Sequence, residues 1–336
     1  MGIKEVAVRA GVGIGSVSRV FSGQAGVSED MRKRVLKAAE SLNYAPNMLA
    51  QAMRSRFTRS VGFVVSDLSN PLISSIVQGA EAVLSEAGYS VLLTDSGNQS
   101  TVDAKRILLL QQRRVDGLIL LPSTEDDPEF LAALGRGTMP VVVIDRSLPA
   151  RIKARYVLSD HQAGVGSAVR SLLAFGHRNL AIIVGRDIRP TRERIRAIND
   201  AYAASKLKPT FVVASGTLSI ADSAAAMTDL LNASDPPTAV IVGGNQFLEG
   251  ALSVVRSRKL RLGRDLSLVT CDDIPLGRFF ETPISAVMRD TNLMGQTSAH
   301  LLLESISEPN RPPRTLVLPT WYESRSSCGR LRRSRQ

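Results

Sequence analysis

The sequence predicts a small all-α helix-turn-helix head joined to an α/β body of two doubly wound parallel-sheet subdomains. Three observations predict it. Apolar residues fall at helical spacing in the first 60 residues, buried-strand runs alternate with helices after Ser60, and the charge excess is confined to the two ends. The chain has 336 residues, 44% apolar and 22% charged, with a formal charge of +11. That composition has room for two or three domains of roughly 100–200 residues each. Residues 1–60 hold ten basic and four acidic side chains, and residues 325–336 hold five arginines and no acid. The 264 residues between carry 27 of each sign. A polyanion contact at one end or both is therefore expected.

The head comes first. Ile3, Val6, Ala7 and Ala10 lie at i, i+3, i+4 and i+7, giving a short helix one apolar stripe that Gly11-Val12-Gly13 then breaks. A second helix is expected over Ile14 to Phe21, with Val17, Val20 and Phe21 inward, followed by a loop over residues 22–26. Ser28 is a good N-cap for a third helix, with Glu29 and Asp30 in its first turn. Met31, Val35, Leu36, Ala39 and Leu42 are expected on its inner face. Two helices joined by a tight glycine-containing turn, with a third completing the core, is the helix-turn-helix plan. The glycines of AGVGIG imitate a dinucleotide fingerprint. However, a helix rather than a strand precedes them, and Ser16 stands where the third glycine belongs, so that reading is rejected. The polar face of the second helix carries Ser16, Ser18 and Arg19. A recognition helix needs small or polar residues near its start and an arginine able to reach guanine O6 and N7. Lys33, Arg34, Lys37, Arg54, Arg56 and Arg59 add positive charge suited to phosphates.

From Ser60 the period changes. VGFVVS, YSVLLTDS, VDGLILLP and PVVVID are buried-strand runs separated by helices beginning near Pro71, Thr101 and Pro128. The pattern repeats with LAIIVG, FVVAS, TAVIVG and LSLVTC, separated by helices near 161–175, 190–204, 219–232 and 245–258. Continuous apolar strands alternating with helices give parallel sheets covered on both faces, and two such sets give two lobes. Small ligands bind at the carboxyl ends of such strands, so the cleft between lobes is the natural site.

Several classes are excluded. Cys271 and Cys328 form no disulfide framework or CxxC site, and His161, His177 and His300 have no ligand spacing, so no metal or other cofactor is expected. MGIKEVAVRAG is not a signal peptide and no apolar run approaches the roughly 20 residues of a membrane span, so a cytoplasmic protein is expected. No phosphate loop follows a strand, no GxSxG elbow occurs, and no nucleophile-base spacing supports an enzyme. His161 and His177 are read as structural.

The runs IKEVAVRAGVGIGSVSRVFSG, VSEDMRKRVLKAAESLNYAPN and LAQAMRSRFTRSVGFVVSDLSNP resemble the start of the lactose-repressor (LacI/GalR) family of bacterial transcription regulators. The match is gapless over about 70 residues and continues more weakly to near residue 323. The resemblance implies a ligand-responsive regulator, usually a repressor, that binds a near-palindromic operator as a homodimer. The alternative is a small-molecule binding protein with no DNA function. It implies that Ile14, Gly15 and Arg19 face bases while Ser16 and Ser18 are placed for phosphates, with Ser28 also at the DNA. Ile14 and Gly15 cannot hydrogen-bond a base edge, so Arg19 is expected to dominate direct readout. After the NYAPN turn, Tyr44 and Asn47 match backbone-contacting positions. Met48 to Met53 matches a hinge helix that folds on DNA, bringing Ala50, Gln51 and Arg54 to the duplex. Met53 stands where a leucine wedge usually enters the minor groove, and methionine can serve as that wedge.

The resemblance also implies a body like a periplasmic sugar-binding protein, with three crossings between lobes near 158, 288 and 318. The expected boundaries are 1–45 for the head, 46–59 for the hinge, 60–157 with 289–317 for the N-terminal lobe and 158–288 with 318–324 for the C-terminal lobe. A basic, disordered tail is expected over 325–336. The helix after Pro71 and the one at 292–308 are candidates for the subunit contact, and the tail lacks heptads for anything beyond a dimer. Arg194 and Asp272 match the most regular effector contacts, an arginine donor and an acid acceptor for hydroxyls. Asp145 and Gln246 match secondary contacts, and Ser66, Leu72 and Arg192 complete the expected pocket. Leu72-Ile73 replaces the usual aromatic pair after SNP, and Gly244-Asn245 replaces the usual Asn-Asp. With Arg146, Arg189 and Arg192 at the pocket mouth, these departures tilt the expected effector from a neutral sugar toward a sugar acid or sugar phosphate.

Overall fold

The computed structural model describes residues 2–21, 26–44, 57–216 and 219–331. These divide into two units, residues 1–60 and 61–336. In the first, α1 (Ile3–Ala10), α2 (Ile14–Phe21) and α3 (Glu29–Ser41) bury Val6, Ala7 and Ala10 against Val17, Val20, Val35, Ala38 and Ala39. Gly11 ends α1 in the left-handed conformation, φ 63°, which glycine adopts without a Cβ penalty. The Ser28 hydroxyl accepts from the Met31 N–H at 3.3 Å and caps α3. Phe21 packs its ring against Tyr44, centroids 5.8 Å apart. The expected inward placement of Leu36 is wrong: it is 47% exposed. The core takes Val35 and Ala38–Ala39 instead, and Leu36, about 100° round the helix from Val35, is turned out.

The second unit holds two six-stranded sheets. In the first, β2 (Ser90–Asp95) and β1 (Ser60–Val65) precede β3 (Gly117–Leu121), β4 (Val141–Ile144), β5 (Arg155–Ser159) and β11 (Thr315–Leu318), in that spatial order. In the second the order is β7 (Phe211–Ser215), β6 (Leu180–Val184), β8 (Ala239–Val242), β9 (Ser267–Cys271), β10 (Ser285–Arg289) and β12 (Thr320–Glu323). The pairings β1–β3, β3–β4, β4–β5, β5–β11, β6–β7, β6–β8, β8–β9 and β9–β10 are parallel, and β10 with β12 is antiparallel. The two sheets thus repeat one strand order, differing in the direction of the last strand, and each has apolar clusters on both faces. The chain passes between sheets after β5, after β10 and between β11 and β12.

The first lobe carries α4 (Pro71–Glu86), α5 (Ser100–Gln112), α6 (Pro128–Gly135) and α11 (Thr291–Ser307). The second carries α7 (His161–Ala174), α8 (Arg189–Ala204), α9 (Ile220–Asn232) and α10 (Asn245–Ser257). Helices α4 and α11 cross at two glycines. A Cβ on Gly295 would overlap the Ile76 carbonyl, and one on Gly79 would overlap the Asn292 carbonyl. Backbone cannot give way as a side chain can, so Gly295→Ala is expected to cost about 1–3 kcal/mol by overpacking. Urea unfolding of the purified variant checks this, and an unchanged midpoint would show that the crossing relaxes.

The expectation of a disordered tail from residue 325 is also corrected. Arg325 pairs with Asp273 at 2.7 and 2.9 Å, Ser327 and Cys328 are buried, and the Leu331 N–H donates to the Phe175 carbonyl at 2.9 Å. His177 anchors the same segment, with Nδ1 2.9 Å from the Thr238 hydroxyl and Nε2 3.0 Å from the Gly329 carbonyl. Buried hydrogen-bonding groups on the second lobe hold this segment in a way that its charge did not reveal. The arginines Arg332, Arg333 and Arg335 lie outside the described residues.

Candidate functional site

In the head, α2 presents Ile14, Gly15 and Arg19 to solvent, with Ser16 and Ser18 half-buried beside them. Ile14, 41% exposed, is an apolar side chain the core does not use. Arg19 Nε donates to the Gly15 carbonyl at 3.3 Å, which lays the guanidinium along the helix start. Ser28 is committed to its cap and is otherwise exposed, and Tyr44 is half-buried against Phe21. Asn47, Ala50, Gln51, Met53 and Arg54, and with them the expected hinge helix, lie outside the described residues.

In the body, equivalent strands of the two sheets end on equivalent acids. Asp145 follows β4 and Asp272 follows β9, each with positive φ (52° and 75°). Left-handed backbone on a side chain other than glycine costs energy and collects at functional sites. Each is held by a ladder bond, Asp145 N–H to the Val157 carbonyl and Asp272 N–H to the Val287 carbonyl, at 2.9 and 3.0 Å.

Asp145 is 3% exposed and sits at the centre of the cleft. Its carboxylate accepts from the Ser159 N–H (2.8 Å), the Ser159 hydroxyl (3.2 Å), Arg189 Nη1 (3.2 Å) and Arg289 Nη1, and contacts His161 Nε2 at 3.1 Å. Burial would raise its pKa, but the neighbouring His161 and Arg289 and the Ser159 N–H together hold it well below the usual carboxylate range. For His161, burial outweighs Asp145 and, with Arg194 and Arg289 beside it, pushes the imidazole pKa below its usual value. Arg289 then spans to the second acid. Its Nε and Nη2 donate to the two Asp272 oxygens at 2.6 and 3.0 Å.

Other bonds across the cleft run the same way, from donors on the second lobe to acceptors on the first. Arg186 donates to the Asn98 and Ser123 carbonyls at 2.6 and 3.2 Å. Glu125, 5% exposed, accepts from the Arg189 N–H at 2.9 Å and from Arg192 Nη2 at 2.6 Å. Gln246 Nε2 donates to Asp67. One lobe is a donor jaw and the other an acceptor jaw.

Of the residues expected at the effector, the structure brings Asp145, Asp272 and Arg194 to one cluster. Arg194 is buried in α8 and donates to the Gly243 carbonyl at 2.6 Å. Asp272, expected to accept hydroxyls, is instead occupied by Arg289. Leu72 and Asp272 line a cavity of about 530 Å³ with Ser75 and Arg289, within the size range of small-ligand sites. Arg192 stands on the rim, 44% exposed and paired with Glu125 and Asp187. Gln246 lines a second, larger cavity, and Ser66 is buried with its carbonyl bonded to the Asn98 N–H. Asp160 caps α7 through the Ala163 N–H. Two arginines expected to add free charge at the mouth are also spent locally, Arg146 on the Pro122 and Asp145 carbonyls and Arg189 on Asp145. Sequence reasoning missed Arg289 and Glu125. An arginine closing a strand at a lobe crossing, and an acid after the β3 strand end, were the available signals. Among the described residues no group of three or more His, Cys, Asp or Glu could hold a metal, and no helix is long and apolar enough to cross a membrane.

Residues 2–47 match the sequence model of bacterial regulatory proteins, lacI family, and residues 169–328 match the periplasmic binding protein-like domain. The HTH-type transcriptional repressor PurR of Haemophilus influenzae strain PittEE is 30% identical over 311 residues, 91% of each chain. The chain belongs to the lacI family of bacterial regulatory proteins. The ribose operon repressor of Haemophilus influenzae is 28% identical to this regulator over 326 residues, 94% of this chain and 95% of that protein. Among solved structures, the lac repressor dimer bound to operator and the anti-inducer ONPF is 26% identical, with a TM-score of 0.83 over 97% of this chain and 98% of that one. The transcriptional regulator CelR–cellobiose complex is 30% identical, with a TM-score of 0.72 over 97% and 99%. The relatives its sequence follows are transcriptional repressors, not enzymes.

Proposed function

We propose that this regulator is a cytoplasmic repressor that binds a near-palindromic operator as a homodimer and answers to a sugar or sugar derivative held between its lobes. The observation that carries the reading is the exposed start of α2, where Ile14, Gly15 and Arg19 stand clear of the three-helix core. A helix face of that kind enters a major groove with its N-terminal residues toward base edges. Arg19 reads guanine, Ile14 packs against a thymine methyl, and Ser16, Ser18, Ser28, Tyr44 and Asn47 face the backbone. Ala50, Gln51, Met53 and Arg54 serve the minor groove at the dyad. Support for the dimer comes from the lac repressor, whose solved structure is a dimer on its operator. Support for the effector comes from the Asp145–Arg289–Asp272 cluster, which ties the two lobes through charges that a polar ligand can rearrange. Coupling between such a ligand and DNA is typically about 1–3 kcal/mol.

A gel shift on palindromic sites from the regulator's own genomic neighbourhood tests this. One site is expected to be bound far more tightly than random duplex, with log affinity falling linearly as log salt rises. A protein that bound no duplex in dilute buffer, with or without candidate effectors, would instead be a ligand-binding protein with no DNA function.

A further inference from the structure

We infer that Arg289 sets the chemistry of the effector: by occupying the cleft carboxylates it turns a site for neutral hydroxyls into one for a small molecule bearing a carboxylate or phosphate, seated on Arg194. This deepens the effector reading above and rests on it. Both Asp272 oxygens are taken by Arg289 in a fork, and Asp145 already meets donors from Ser159, Arg189 and Arg289 as well as His161. A carboxylate has about four lone-pair sites, so little acceptor capacity remains for sugar hydroxyls.

Arg194 is left in the opposite condition. It is 6% exposed, and its Nε has no hydrogen-bond partner. Among the described residues no carboxylate lies within ion-pair distance of it, and Asp272 is held by Arg289. A buried guanidinium without a counter-anion is costly. The neighbouring arginines Arg189 and Arg289 are already paired with Asp145 and Asp272, which leaves Arg194 as the one of the three without an acid. An anionic ligand group satisfies that donor, accepting from the planar face of Arg194 and supplying the counter-anion it lacks.

Calorimetry on the full-length protein tests this with ribose, ribose 5-phosphate, glucose, gluconate, glucose 6-phosphate and inorganic phosphate. At least one anion is expected to bind tenfold or more tightly than its neutral parent sugar, with the gluconate and phosphate arms separating the two anion chemistries. Arg194→Gln should abolish that binding. Arg289→Gln should bring the ratio of anion to parent affinity close to one, by releasing Asp272 to accept hydroxyls, and Arg289→Lys should fall between. An unchanged ratio in Arg289→Gln, parent sugars bound as tightly as their acids, or no anion bound at all would overturn the inference. The wild-type ratio decides the matter even if a variant fails to fold. Operator binding is followed in parallel. If it persists alongside those results, only this inference fails. If it is absent throughout, the regulator reading fails as well.

Discussion

Replacing Asp145 by alanine is expected to destabilise the body by about 3–5 kcal/mol, the cost of removing one partner from a buried ionic network. The carboxylate meets five donor groups, two of them guanidiniums from the other lobe. Arg189 would lose its acid and keep only the Ser159 carbonyl, Arg289 would keep Asp272 as its one acid, and the Ser159 N–H would be left a buried donor. At roughly 2–4 °C per kcal/mol for a body of this size, the melting temperature should fall by about 10 °C. The pH dependence carries the same signature. The folded-state pKa of Asp145 lies well below its ordinary 3.8, so its contribution is complete above that value and disappears as pH falls through the lower, folded pKa. The gap between wild type and Asp145→Ala should therefore stay constant from neutral pH down to about 5 and close only in strong acid. A loss below about 1 kcal/mol at neutral pH would mean that the network repacks around an alternative acceptor.

Arg19→Ala should erase sequence preference while leaving a substantial salt-dependent affinity. A bidentate contact to guanine is worth about 1–3 kcal/mol, and a dimer on a palindrome makes it twice, so discrimination should fall by about 2–6 kcal/mol. Ile14 and Gly15 offer no hydrogen bond to replace it. Lys33, exposed on α3, gives the contrast. Lys33→Ala should weaken binding to every sequence alike and reduce the salt slope by about one. Competition gel shifts with operator and scrambled duplex at several salt concentrations separate the two. Equal loss on both duplexes in Arg19→Ala would move base readout elsewhere.

The fold was legible because its signals are local. The inner body strands are runs of apolar residues covered on both faces, whereas YSVLLTDS and FVVAS, read as buried, form the edge strands β2 and β7 and are partly exposed. Several helix starts carry their own marker: Ser28, Pro71, Pro128 and Asp160 stand at helix starts in the structure. Helical spacing found Val6, Val17 and Val20 but misjudged Leu36, because one residue's rotation about a helix decides burial and only the packed neighbours choose it.

Composition and order along the chain, by themselves, determined a basic three-helix head, a neutral bilobal body and an arginine on the exposed face of the second helix. These follow from periodicity, capping and charge, which act over a few residues. Tertiary structure alone decided how the charged groups of the cleft are shared. Asp145 and Arg289 are 144 residues apart, as are no two groups that local pattern can pair, and Arg325 reaches Asp273 across another 52. Which arginine takes which carboxylate depends on distances of a few ångströms set by two sheets folding toward each other. For that reason Asp272, expected from its position to be open to ligand, is held by Arg289, while Arg194 is left without an acid.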